Sequence, residues 1–185
     1  MDHNYTDTPV FDSSTPLRFN PRQPPQPNPN NPLVLRFTAA KEAIANANVI
    51  NHEGSVRYSF TSESEGQMQM HDQVGNKIAR VEGGQIFFRN SEGQKLKTFL
   101  RKMPSNTFSV ITLDEQLYEW VQEIFYAVVR TTPQSARRAI IFNFSGNPAV
   151  EMLPEGAAVN DLEEFIVLTA AIIETGILKK KGKTK

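Results

Sequence analysis

The sequence predicts a mainly β protein, an antiparallel sheet of short strands curled around one buried C-terminal α-helix. Three observations predict it. Between Pro32 and Arg138, short apolar runs alternate with turn chemistry. No helical segment intervenes between them in the βα rhythm that a parallel sheet needs. The last long apolar run, Phe165 to Ile173, has no polar side, so as a helix it must be surrounded.

About nine strands follow one another in the chain. Leu33 to Phe37 is the first, and the Ala-rich stretch Thr38 to Asn48 reads as a helical turn. Val56, Tyr58 and Phe60 alternate with Arg57 and Ser59, the period of a half-buried strand. Met68 to Val74 leads through Gly75-Asn76 into Lys77 to Glu82, and Gly-Asn predicts a two-residue hairpin because glycine supplies the positive φ of a primed turn. Gly83-Gly84 begins the next reversal, before Gln85 to Arg89. Asn90-Ser91-Glu92-Gly93 has the composition of a type I turn, after which Lys95 to Lys102 reads as one further strand. Thr107 to Leu113 and Gln116 to Glu123 form a hairpin around Asp114-Glu115. Phe125 to Thr131 and Arg138 to Phe144 follow, ending at Ser145-Gly146-Asn147-Pro148.

The closing helix is bounded by signals of its own. Asn160 with Glu163 has the form of a capping pair, Glu163-Glu164 suits a helix N-terminus through the dipole, and Gly176 stands where a left-handed terminator belongs. Nine apolar residues at about 1.5 Å each cover roughly 14 Å, half of a bilayer's hydrocarbon core. The run therefore reads as an interior helix, and no transmembrane segment is expected.

Several of these residues carry a resemblance. Tyr58, the Gly75-Asn76 turn, Lys95-Leu96-Lys97-Thr98-Phe99-Leu100-Arg101, Thr107-Phe108 with Tyr118-Glu119-Trp120, and Glu151-Met152-Leu153-Pro154-Glu155-Gly156 ahead of an apolar helix occur in that order. In this the chain resembles an uncharacterised domain family of mushroom-forming fungi that is related to tubby-like and LURP-one-like proteins, over about residues 32–176. The family usually has a glycine after the aspartate of the Asp114-Glu115 turn. The resemblance implies a β-barrel wrapped around a hydrophobic C-terminal helix, with no catalytic residues attached to it. More distant relatives bind phosphoinositides or belong to the phospholipid scramblases, which raises a lipid hypothesis.

Composition bounds the rest. The 185 residues hold no cysteine, which excludes disulfide scaffolds, thiolate metal sites and cysteine nucleophiles. Residues 1–32 carry eight of the twelve prolines and form an arm with disordered, polyproline II character. The PxxP spacings within it read as spacer before ligand. Residues 33–178 form the domain, and residues 179–185 are a lysine tail. Twenty Lys+Arg balance twenty Asp+Glu. Setting aside the two Lys/Arg and three Asp/Glu of the arm and the five lysines of the tail leaves thirteen against seventeen, a mildly acidic body for which no nucleic-acid partner is expected. The lack of a cationic start with an apolar h-region, and of cysteines, makes the expected location intracellular and cytoplasmic, with peripheral contact at membranes.

Catalytic signals are weak. His3, His52 and His71 have no helical ligand spacing, and His71-Asp72 are strand neighbours that point to opposite faces. No nucleophile elbow, phosphate loop or dinucleotide fingerprint occurs, so no catalytic residue, metal or cofactor is expected. The binding candidates are Lys95, Lys97, Arg101 and Lys102, with Arg89 as an extension. On a strand, Lys95, Lys97 and Arg101 would share one face over about 20 Å and could meet an anionic phospholipid headgroup. An ordinary solvated strand face is the plainer account of the same residues. The sequence thus favours a non-enzymatic domain that binds an anionic lipid or a protein partner. The alternative is a lipid-handling protein or enzyme with a pocket at the barrel mouth.

Overall fold

The turns fix which strands become neighbours. The computed structural model describes residues 30–103, 108–111, 117–122, 126–132, 135–144 and 146–177. The arm 1–29, the Asp114-Glu115 turn and the lysine tail lie outside the described residues. The first half of the chain contributes β1 Val34–Phe37, β2 Asn48–Ile50, β3 Val56–Thr61, β4 Met68–Asp72, β5 Lys77–Glu82, β6 Gln85–Phe88 and β7 Gln94–Lys95. The second contributes β8 Leu100–Lys102, β9 Phe108–Ile111, β10 Leu117–Gln122, β11 Tyr126–Arg130, β12 Ala139–Phe144 and β13 Asn147–Met152. Helices α1 Leu96–Phe99, α2 Pro154–Ala157 and α3 Leu162–Thr175 complete it, with a 3₁₀ turn at Lys41–Asn46.

All thirteen strands form one antiparallel sheet, in the order β7-β6-β5-β4-β3-β2-β1-β13-β12-β11-β10-β9-β8. Chain neighbours are sheet neighbours with the exception of β7 and β8, and one pairing joins strands far apart in sequence, β1 with β13, Leu35 opposite Val150. The two edges are β7 and β8, which four residues of α1 connect. Laid flat, twelve steps of about 4.8 Å would separate them by about 58 Å. Five peptide steps from Lys95 to Leu100 reach at most about 19 Å, so the sheet must curl. The edges are not hydrogen-bonded to each other, so the ladder is not a closed barrel.

Inside the curl lies α3. Leu162, Phe165 to Ala171 and Ile172 are all buried, and they join one core with strand residues such as Leu35, Phe60, Met70, Val81, Val129 and Val150. Thr169, fully buried, satisfies its hydroxyl by donating to the Phe165 and Ile166 carbonyls. The helix ends at Gly176, whose φ of +67° is the left-handed terminator.

Several expectations change. The ten stretches read as strands become thirteen, because β2 and β13 escape the pattern and Lys95 to Lys102 divides in two. Leu96 and Phe99 are both buried, three residues apart, and this pulls Leu96–Phe99 into a helical turn. The β4–β5 hairpin does not turn on Gly75-Asn76 alone. Gly75 donates to the Asp72 carbonyl and Asp72 to the Asn76 carbonyl, which makes a three-residue loop with Gly75 left-handed. The two-residue primed turn is Gly83-Gly84, both at positive φ between paired Glu82 and Gln85. The next reversal is at Phe88–Ser91, where Ser91 donates to the Phe88 carbonyl and its hydroxyl accepts from the Phe88 N–H. Asn160 does not cap α3; Asp161 stands at that position, and Glu163 is turned to β3.

Candidate functional site

The four candidate cations straddle the seam between the sheet edges. Lys95 lies on β7 opposite Gln85, Lys97 on α1, and Arg101 and Lys102 on β8 opposite Ser109 and Phe108. One strand with a common charged face is therefore the wrong geometry. Leu96 and Phe99 turn inward on α1, leaving Lys97 and Thr98 exposed. On β8, Leu100 is buried and Arg101 points to the opposite face, so Lys102 returns to the side of Leu100 while remaining exposed at the strand end. Four helical residues advance about 7 Å less than four extended ones, which shortens the charged stretch.

The packing beneath is aromatic. Phe165 of α3 stacks on Phe88 of β6 at 4.2 Å and on Phe99 of α1 at 6.1 Å between ring centroids. The Leu96 N–H donates to the Gly84 carbonyl. The seam is thus anchored to the interior helix on one side and to the β5–β6 turn on the other. All four cations are exposed, and among the described residues none has a carboxylate within ion-pair distance.

Other arginines differ. Arg80 meets Glu82 at 3.1 Å and lies over the Phe87 ring. Arg89, the suggested extension of the basic row, turns to the first turn of α3 and meets Asp161 at 2.7 Å and Glu164 at 2.9 Å. Its hydrogen bond with Glu164 raises an already high guanidinium pKa. Arg89 and Asp161 both have left-handed backbone, with φ of +49° and +61°. Arg57 donates to Glu163 at 3.2 Å, and the Tyr58 hydroxyl donates to the same oxygen at 2.6 Å. Burial first, and then Glu163, push the Tyr58 phenol pKa well up. These pairs pin the N-terminal end of α3 to β3 and to the residue following β6. Sequence reading missed them because nothing local links residues about 75 to 105 positions apart.

Two surface grooves touch α3, one at each end. One, of about 230 Å³, is lined by Leu35, Asn51, Ser55, Arg57, Gln73 and Glu163. The other, of about 300 Å³, includes Asn46, Ser62, Ser64, Gln67, Thr175 and Ile177. His52 lies in the β2–β3 loop, and His71 sits on β4 beside Asp72. Asp72 organises its turn: its carboxylate accepts from the Asn76 amide and from the Val74 and Asn76 N–H groups. The Asn76 side chain, foremost, holds that carboxyl below its usual pKa. Among the described residues no cluster of three or more His, Asp or Glu is arranged to hold a metal, and no helix is long and apolar enough to cross a membrane.

No family model and no curated protein matches the chain. An X-ray structure of a protein from Arabidopsis thaliana is similar over 83% of this chain and 97% of its own, with 11% identity and a TM-score of 0.48.

Proposed function

We propose that the protein is a non-enzymatic binding domain, a barrel-like sheet around α3 of the tubby-like and LURP-one-like kind, which uses its edge seam to hold an anionic phospholipid headgroup. The observation that carries this reading is the contrast among cations. Arg57, Arg80 and Arg89 are neutralised by carboxylates, whereas Lys95, Lys97, Arg101 and Lys102, all exposed, gather within eight successive residues at the seam with no such partner among the described residues. Near an anionic membrane each is worth about 1 kcal/mol, and four together about 4 kcal/mol or roughly a thousandfold in partitioning. On this reading the protein works inside the cell as a peripheral membrane protein. The pocket-based alternative, an enzyme or lipid-handling protein, would use the groove at Arg57 and Glu163. Those two side chains are occupied with each other and with Tyr58, which favours the binding domain.

Co-sedimentation with phosphatidylserine and phosphoinositide vesicles tests the proposal. The intact chain is expected to bind at 0.1 M salt and release at 0.5 M, where screening shortens to a few ångströms. Lys97→Glu with Arg101→Glu reverses two charges and should weaken binding at least a hundredfold. Soluble inositol phosphate as competitor separates headgroup recognition from attraction to a charged surface. Unchanged binding in the double variant refutes the seam, and loss only in a chain ending at Leu178 assigns binding to the lysine tail.

A further inference from the structure

The curled sheet has an outer face, and one sector of it is not built for water. The strand residues that join the core with α3 on β1, β13, β12 and β11 are Leu35, Val150, Ile141 and Val129. Their sequence neighbours Val34, Ala149, Phe142 and Val128 must point the other way. These outward residues are nevertheless 1%, 0%, 5% and 3% exposed, and they do not belong to the core around α3. Register places them together: Val128 is opposite Ile140, Ile140 opposite Glu151, Glu151 opposite Val34, and Phe142 opposite Ala149. The Nε atoms of Arg36 and Arg130, on the same outer face, are also shut from solvent.

The other half of the sheet behaves as a solvated surface should. Arg57 and Thr61 of β3 and Lys77 and Glu82 of β5 are exposed. In the apolar sector, Ala139 to Phe142, Ala127 to Val129 and Pro148 to Val150 are unbroken apolar runs, the pattern of strands buried on both faces. A phenylalanine at 5% exposure on the outside of a sheet needs something lying over it. The described helical segments pack elsewhere: the Lys41–Asn46 turn lies against α3 and β3, and α2 against α3.

We infer that the N-terminal arm is a strap over this face, with Val10, Phe11, Leu17 and Phe19 packing on Val34, Ala149, Phe142 and Val128. The chain arrives in the right place. Asn31 donates through Nδ2 to Glu151 at 2.6 Å, in the middle of the sector, while its Oδ1 accepts from the Leu33 N–H. The arm is also long enough. Phe19 to Asn30 in polyproline II conformation reaches about 34 Å, whereas β1 to β10 is four strand spacings, about 19 Å. The arm's apolar residues cluster at positions 10–19, and the proline-rich stretch from Pro21 to Pro29 separates them from the domain, as a tether would.

The absence of native cysteine makes the test clean. Val128→Cys places one thiol in the sector, and Thr61→Cys places one on the solvated outer face as reference. In the full chain Cys at 128 should react with a soluble disulfide reagent at least a hundredfold more slowly than Cys at 61. Adding Val10→Asp, Phe11→Asp, Leu17→Asp and Phe19→Asp should bring the two rates within about threefold, with circular dichroism showing the fold retained. Equal rates in the unaltered arm overturn the inference, as does protection that survives the four substitutions. Protection that grows with protein concentration, alongside a doubled mass by light scattering, overturns it in favour of a second copy.

Discussion

Replacing Phe165 with alanine tests the placement of α3 most directly. The side chain is buried and stacks on Phe88 and Phe99, with interplanar angles of 17° and 29°. An aromatic side chain buries about 150–250 Å², which at about 25 cal/mol per Å² amounts to about 4–6 kcal/mol. Residual burial in the unfolded chain lowers this by about 10–40%, to about 3–5 kcal/mol, the range found for Phe→Ala in cores. A domain of this size holds about 5–15 kcal/mol in total, so the variant should lose about a fifth or more of its stability and melt about 10–15 °C lower. Trp120, the one tryptophan, lies in the core and reports urea unfolding by fluorescence. A double-mutant cycle with Phe88→Ala should return a coupling of about 0.5–1.5 kcal/mol, from the stack at 4.2 Å. A loss below about 1 kcal/mol for Phe165→Ala would mean that the ring is not interior, and the account of the core would fail.

Other perturbations have equally definite signs. Gly156→Ala should destabilise by about 1–3 kcal/mol although alanine is the better helix former, because the added Cβ would lie 2.0 Å from the Arg138 carbonyl oxygen; a higher melting temperature would contradict this. Asp72→Ala should lower the melting temperature at neutral pH. Since the folded carboxyl titrates below its unfolded value near 3.9, the difference from the parent should hold down to about pH 5 and close as pH falls further. A difference that widens in acid would reverse the assignment. Tyr58→Phe removes a charge-assisted hydrogen bond to Glu163 and should cost about 1.5–3 kcal/mol by urea titration. In the parent, absorbance at alkaline pH should show Tyr58 still protonated after an exposed phenol has ionised, and its titration with a free phenol would count against the burial described.

Local chemistry announced some elements and hid others. The interior helix was readable because Phe165 to Ile173 has no polar face, and β3 because Val56 to Thr61 keeps a strict period of two. The seam was not. Leu96, Thr98 and Leu100 satisfy a strand's alternation while Leu96 and Phe99 satisfy a helix's spacing, and over eight residues the two periods cannot be told apart. Strand β13 was concealed by Gly146-Asn147-Pro148, which reads as a terminating loop. Pro148 is tolerated there because Asn143 and Pro148 form the pair next to the hairpin-closing Phe144 and Asn147. Its missing N–H therefore faces the β1 side, where the ladder ends at Arg36 and Ala149. The cationic residues were identifiable as a group, but their distribution over two edges and a helical turn depends on how the whole sheet bends.

The pairing of β1 with β13 also governs how the protein is made. A ribosome delivers residues in order, and β1 has β2 as its only partner until more than a hundred further residues have emerged. The plug arrives later still, since α3 follows β13. Throughout elongation the apolar lining of a half-built sheet is therefore without the helix that fills it, and loop closure over so long a separation is slow. Translation past Thr175, rather than the formation of any early hairpin, is the event that permits the native state. Nascent chains stalled before α3 should accordingly be protease-sensitive and bound by chaperones, whereas chains released with α3 complete should become resistant within one folding time.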